Sequence, residues 1–198
     1  ERGIPWRRGW LLCGRPGSGK STLVKALAAE LNLPIYQFDL AVMTNTDFSY
    51  EWNTMLANTP CVALIEDIDA VFDGRENLTK TMNGGLTFDC LLNCIAGVGT
   101  GDGVMTVITS NDTTKIDPAL AQFNESGGVS RPGRVDRILM LEGVDRAGRE
   151  QIALRILPSA TPEERKSLLD GSANDTVAQF TERCVGIALL SKWDAHKT

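Results

Sequence analysis

The 198 residues suffice for one domain, or one domain with a small appended lobe, at roughly 100–200 residues per domain. With 42% hydrophobic and 23% charged residues, the chain can close a core and is too apolar for disorder. A net charge of −5 lacks the excess of Lys and Arg that general affinity for DNA or RNA needs, so no nucleic-acid partner is expected.

In chain order, residues 10–13, 35–39, 61–66, 104–110 and 137–142 read as five buried strands. Between them, residues 20–31, 50–57 and 86–98 carry apolar side chains three and four apart, as amphipathic helices do. Strands alternating with helices imply a parallel sheet covered on both faces. Beyond Asp145 the strand signal stops, and residues 146–157, 162–170 and 175–190 read as helices. The second of these opens on Thr161-Pro162-Glu163-Glu164, a capping box with Pro at the first helical position. The expected organisation is an α/β subdomain over residues 1–144 and a helical subdomain over residues 145–198.

The apolar stretches at 61–65 and 185–190 fall far short of the ~18 residues that span a membrane. The chain begins at Glu1 rather than Met and so reads as a piece of a longer protein, with membrane attachment expected only through a segment absent here. Five cysteines in no framework spacing read as reduced thiols of an intracellular protein. Cys90 and Cys94 share a helix face, but the single histidine, His196, lies in the tail, so zinc is not expected.

GRPGSGKS at 14–21 fits the pattern G-x-x-x-x-G-K-[ST], after a strand and at the start of a helix. In such a loop, backbone N–H groups curl around phosphates and the helix N-terminus adds partial positive charge. The phosphate-binding stretch is read as Gly14, Arg15, Pro16, Gly17, Ser18, Gly19, Lys20, Ser21 and Thr22. Lys20 would contact the β- and γ-phosphates, and the Ser21 hydroxyl would help to hold Mg²⁺.

CVALIEDID at 61–69 is an apolar strand running into Glu66, Asp67 and Asp69. Paired carboxylates at a strand end suit a Mg²⁺ site, one holding the ion through water and the other polarising the attacking water. Asp69 also reads as a structural residue, for instance a helix N-cap. VITSN at 107–111 ends a strand on Asn111, placed to position water near the γ-phosphate. SRPGRVDR at 130–137 sets Arg131 and Arg134 on a Pro-Gly turn, as arginine fingers would be.

These four elements, in this order, resemble the AAA family of ring-forming ATPases over nearly the whole chain. GRPGSGKST looks like Walker A, CVALIEDID like Walker B, TSN like sensor 1, and IDPAL with SRPGRVDR like the second region of homology. More narrowly, the features resemble the mitochondrial complex III assembly chaperone subgroup and its bacterial and viral relatives. The resemblance implies a three-layer α/β/α P-loop fold with a five-stranded parallel sheet, followed by a helical lid. It also implies ATP and Mg²⁺ as ligands, a homo-oligomeric ring and a protein substrate. Most AAA proteins read Asp-Glu where this chain reads Glu66-Asp67, so by position Glu66 takes the Mg²⁺ role and Asp67 the base role. Location follows as cytoplasmic or, for a true relative of that chaperone, the mitochondrial inner membrane.

Three features depart from the family pattern. AQFNESGGV at 121–129 intervenes before the Arg turn, Arg15 replaces the usual Pro, and the loop 40–48 lacks an aromatic-Gly pair. The expected function is Mg²⁺-dependent ATP hydrolysis driving protein remodelling or translocation. The alternatives are a DNA-associated loader or initiator of the same family, a P-loop small-molecule kinase, and a nucleotide-binding scaffold without turnover. A loader would show salt-dependent DNA binding, and a kinase would release a phosphorylated product other than free phosphate.

Overall fold

A computed structural model describes residues 7–79, 84–96, 102–124, 127–129 and 134–195. The chain divides into two compact units, one of residues 1–14 and 20–140 and one of residues 15–19 and 141–198.

In the first unit, β1 (Arg8–Cys13) leads to α1 (Lys20–Glu30), β2 (Ile35–Phe38) and α2 (Asn45–Leu56). β3 (Cys61–Ile65) runs into the short α3 (Ile68–Val71) and the small ladder of β4 (Phe72–Asp73) with β5 (Glu76–Asn77). Then come α4 (Phe88–Ala96), β6 (Val104–Ser110), the hairpin of β7 (Gln122–Asn124) with β8 (Gly127–Val129), and β9 (Arg137–Met140). Five strands form one sheet in the order β2-β3-β6-β1-β9, and every pairing is parallel. Every residue of β3 and β6 is buried, so both faces of the sheet centre are covered, as a parallel sheet requires.

Register fixes where function can sit. Cys13 pairs with Ser110 and Ile65 with Ile108, so β1, β3 and β6 finish at one edge of the sheet. The Gly14 amide donates to the Ser110 carbonyl at 3.1 Å, carrying the pairing one residue further. Gly14, Glu66 and Asn111 therefore all leave the sheet at its carboxyl edge, where open α/β sheets bind ligands.

Helices dock by apolar stripes. Phe48, Trp52 and Met55 bury one face of α2, and Phe48 and Trp52 meet Phe38 of β2 at ring separations of 5.3 and 5.4 Å. α4 buries Phe88, Leu91, Leu92 and Ile95, the helical spacing that the sequence carries.

Two local differences from the sequence reading have physical causes. α2 starts at Asn45 rather than residue 50 because Thr44 and Asp47 form a capping box. The Thr44 amide donates to Asp47 Oδ2 at 3.0 Å, so Asp at the third position does what Glu usually does. α4 starts at Phe88 rather than residue 86 because Thr87 Oγ1 accepts the Cys90 amide at 3.2 Å and so ends the extended segment before it. Within the insertion 121–129, β7 and β8 pair antiparallel, with Gln122 opposite Val129.

Gly9 fixes the approach of the Arg134 segment to β1. A Cβ there would lie 1.8 Å from the Arg134 carbonyl oxygen and 3.2 Å from Val135 Cα. The Gly9 amide donates to Asp136 Oδ2 and its carbonyl accepts from the Asp136 amide, each at 2.7 Å. Backbone on both sides leaves no side chain to give way. Gly9→Ala is expected to cost roughly 1–3 kcal/mol or more by overpacking. Denaturant unfolding measures this, and a midpoint shift under about 0.5 kcal/mol would contradict the close approach.

The second unit holds α5 (Arg146–Ile156), α6 (Pro162–Asp170) and α7 (Val177–Ala195) around Ala153, Leu157, Leu169, Phe180 and Cys184. Each helix start is capped: Asp145 accepts from Gly148, Thr161 from Glu164, and Thr176 from Gln179. The Arg149 guanidinium donates to the Ser172 and Ala173 carbonyls at 2.6 and 2.8 Å, closing the α6–α7 turn. Among the described residues no helix is long and apolar enough to cross a membrane.

Candidate nucleotide site

At the carboxyl edge of the first unit's sheet, Lys20 opens α1 and is only 6% exposed. A buried ammonium needs acceptors. Its Nζ donates to the Gly14 carbonyl at 2.7 Å and to Asn111 Oδ1 at 2.6 Å. The Asn111 amide nitrogen then donates to Asp67 Oδ1 at 3.0 Å. Lys20, Asn111 and Asp67 thus form one polar chain from α1, across the end of β6, to the second residue after β3.

Glu66 and Asp67 face different partners. The Ser21 hydroxyl donates to Glu66 Oε1, while Gln37 Nε2 donates to Glu66 Oε2 at 2.7 Å. Asp67 is exposed and adopts a left-handed backbone, φ 47°, at the position before α3. That turn aims the two neighbouring carboxylates apart, one at Ser21 and one at Asn111. Such a conformation costs an L-residue about 1 kcal/mol or more. It is held by the Asp67 amide donating to Thr109 Oγ1 at 2.9 Å. Three carboxylates, Glu66, Asp67 and Asp69, gather here with the Lys20 ammonium, and Lys115 Nζ lies 3.4 Å from the Asp69 carbonyl.

Asp69 is not a helix N-cap. Asp67 occupies that position without a side-chain cap bond, while Asp69 lies inside α3 with its carboxylate turned to the Asn111 amide at 2.9 Å. Cys13, buried at the end of β1, has its thiol pushed up to about 11, chiefly by burial, with the Lys20 charge lowering it and Asp69 raising it. It stays a neutral thiol at physiological pH.

The sequence reading missed Gln37 and Thr109. Gln37 carried a signal, as a polar residue inside the otherwise apolar β2, whereas Thr109 shares β6 with Thr106 and Ser110 and is 1% exposed. Arg134 Nη1 donates to the Ala119 carbonyl at 2.6 Å, which ties the segment after the hairpin to the turn before it. Arg131 lies outside the described residues.

In the second unit, the loop 15–19 is tied to the start of α7 by the Ala178 amide donating to the Gly17 carbonyl at 3.1 Å. Gly17 and Gly19 have φ of 77° and 96°, which L side chains rarely adopt. At Gly17 a Cβ would meet Thr176 Oγ1 at 3.0 Å, while at Gly19 it would meet nothing within 4 Å. The Ser18 hydroxyl is buried with no hydrogen-bond partner, a donor of the kind that phosphate oxygens satisfy.

Comparison with known proteins gives the same family as the motifs. The profile of the ATPase family associated with various cellular activities (AAA) matches residues 10–131. The probable mitochondrial chaperone bcs1 of Schizosaccharomyces pombe is 43% identical over 138 residues, covering 68% of this chain and 28% of that protein. The mitochondrial chaperone BCS1 of Bos taurus is 37% identical over 186 residues, covering 91% and 41%. The human mitochondrial chaperone BCS1 is 39% identical over 141 residues, covering 69% and 32%. The chain thus spans well under half the length of these relatives. Its matched region holds the glycine-rich loop, the acidic strand end and the Asn111 strand. The chain belongs to the AAA family of ATPases.

Proposed function

We propose that this chain is the ATP-hydrolysing module of an oligomeric, ring-forming assembly that remodels or translocates a protein substrate. The observation that carries this reading is the polar chain Lys20–Asn111–Asp67 beside the Ser21–Glu66 pair, whose Lys20 and Ser21 directly follow the glycine-rich loop in sequence. A hydroxyl and one carboxylate are the protein ligands Mg²⁺ takes beside nucleotide phosphates and water. Ser21 and Glu66 would hold Mg²⁺, which supplies positive charge to the phosphates.

The chain's own residues divide the work. Lys20 exchanges its Gly14 and Asn111 acceptors for β- and γ-phosphate oxygens, offsetting their charge. Asp67 accepts a proton from the attacking water, and Asn111, bonded to Asp67, orients that water for in-line attack. Gly14 to Thr22 cradle the phosphates through backbone N–H groups and the α1 terminus. Arg131 and Arg134 reach the nucleotide of a neighbouring subunit.

Remodelling of a protein is favoured by the chaperone names of the relatives. A mitochondrial setting belongs to the same analogy. The DNA-loader alternative is disfavoured by the net charge of −5. The test is Lys20→Ala, which removes a charge-assisted contact worth about 1.5–3 kcal/mol, roughly 10–150-fold in affinity. Titration of a fluorescent ATP analogue measures it, and unchanged affinity would remove this site from consideration.

A further inference from the structure

Two bonds running in opposite directions join the turn after β3 to the end of β6. The Asp67 amide donates to Thr109 Oγ1 at 2.9 Å, and the Asn111 amide donates to Asp69 Oδ1 at 2.9 Å. Both acceptors are buried, Thr109 at 1% and Asp69 at 7% exposure. β3 pairs with β6 only as far as Ile65 with Ile108. Beyond that register no ladder bond holds Asp67 or Asn111, and these two side chains replace it. Asn111 is the first residue past β6, so its amide needs an acceptor that the sheet no longer gives.

We propose that Asp69 and Thr109 are positioning residues that clamp Asn111 and Asp67 at the geometry the reaction needs. The inference rests on the functional reading above. Each holds a backbone amide of the polar chain rather than one of its side chains. Asp69 instead fixes the Asn111 backbone, and the Asn111 amide group turns its oxygen to Lys20 and its nitrogen to Asp67. Thr109 holds Asp67 in its left-handed turn, which aims the carboxylate at Asn111 rather than along Glu66. Lys115 Nζ approaches the Asp69 carbonyl at 3.4 Å, tying the same turn from the segment beyond β6. A carboxylate is suited to this post because one amide donor to a charged acceptor makes a stronger bond than a neutral pair.

The clamp predicts a split between binding and turnover. A displacement near 1 Å costs about 10²-fold in rate, whereas phosphate binding through the loop and Lys20 is untouched. Asp69→Ala should therefore lower kcat about 10²-fold with nucleotide affinity within about threefold of native. Asp69→Asn keeps a carbonyl oxygen for the Asn111 amide and should recover most of the rate. Thr109→Val, equal in shape but without the acceptor, should show the same split, and it decides the matter if Asp69→Ala fails to fold. Native kcat in Thr109→Val, or kcat and affinity falling together, overturns the clamp. Equal impairment of Asp69→Ala and Asp69→Asn overturns the positioning role of Asp69. Hydrogen exchange at the Asn111 amide reads the clamp without turnover: protection should survive in Asp69→Asn and vanish in Asp69→Ala. If a forced-oligomer fusion of the native chain hydrolyses no ATP but this exchange pattern holds, the functional reading fails and the clamp stands.

Discussion

Asp67→Asn is expected to bind Mg·ATP with native affinity while its turnover falls by roughly 10²–10⁴-fold, the usual contribution of a general base. The structure separates the two neighbouring carboxylates by environment. Glu66 is bracketed by the Ser21 hydroxyl and the Gln37 amide, whereas Asp67 is exposed and meets the Asn111 amide. Asparagine keeps an oxygen for Asn111 but cannot accept a proton from water, so binding and chemistry separate cleanly. Glu66→Gln should behave differently, because the charge lost is the one facing Ser21. Its turnover should be restored in part by raised Mg²⁺, a dependence Asp67→Asn should not show. Single-turnover phosphate release measured across a Mg²⁺ series checks both. Native turnover in Asp67→Asn would reverse the assignment and make Glu66 the base.

The parts legible in the sequence were those whose signal is local. Five strands, the helices on them and the glycine-rich loop each announce themselves within ten residues through apolar spacing and glycine placement. The swapped acidic pair was visible as residues, but its turn was not. Nothing adjacent to Asp67 reveals that φ is 47°, because the bond that stabilises it comes from Thr109, 42 positions away. Asp69 was visible as an acid with a structural role, of which a helix cap was one instance, but its actual partner is also 42 positions distant. Gln37 shows the same limit: its interruption of an apolar strand is a local signal, but its partner Glu66 is set by the β2–β3 register. The insertion at 121–129 has weak strand propensity and a glycine pair, so the hairpin emerges only from pairing. Tertiary hydrogen bonds, rather than pattern, supply these features.

Arg134→Ala is expected to leave ATP affinity nearly intact and to reduce hydrolysis about 10³-fold or more, as loss of an arginine finger supplied from a neighbour does. The residue's present bond, Nη1 to the Ala119 carbonyl at 2.6 Å, predicts a separate and smaller effect on stability, about 1 kcal/mol. A purely structural arginine would show only the second. Complementation distinguishes the two. In a ring built by head-to-tail interfaces, each site joins the acidic pair of one subunit to the arginines of the next. Mixing Arg134→Ala with Asp67→Asn in equal amounts makes about one quarter of interfaces carry both an intact Asp67 and an intact Arg134, since each half is intact with probability about one half. Hydrolysis should therefore recover towards about a quarter of native, although each variant alone is nearly silent. Specific activity of the native chain should also rise with protein concentration, because only assembled interfaces are competent. A forced-oligomer fusion removes weak assembly as an explanation for low activity. Concentration-independent turnover by a demonstrably monomeric chain, together with no recovery in the mixture, would sink the shared site. Arg134 would then only tie its own segment to Ala119 and do nothing across subunits.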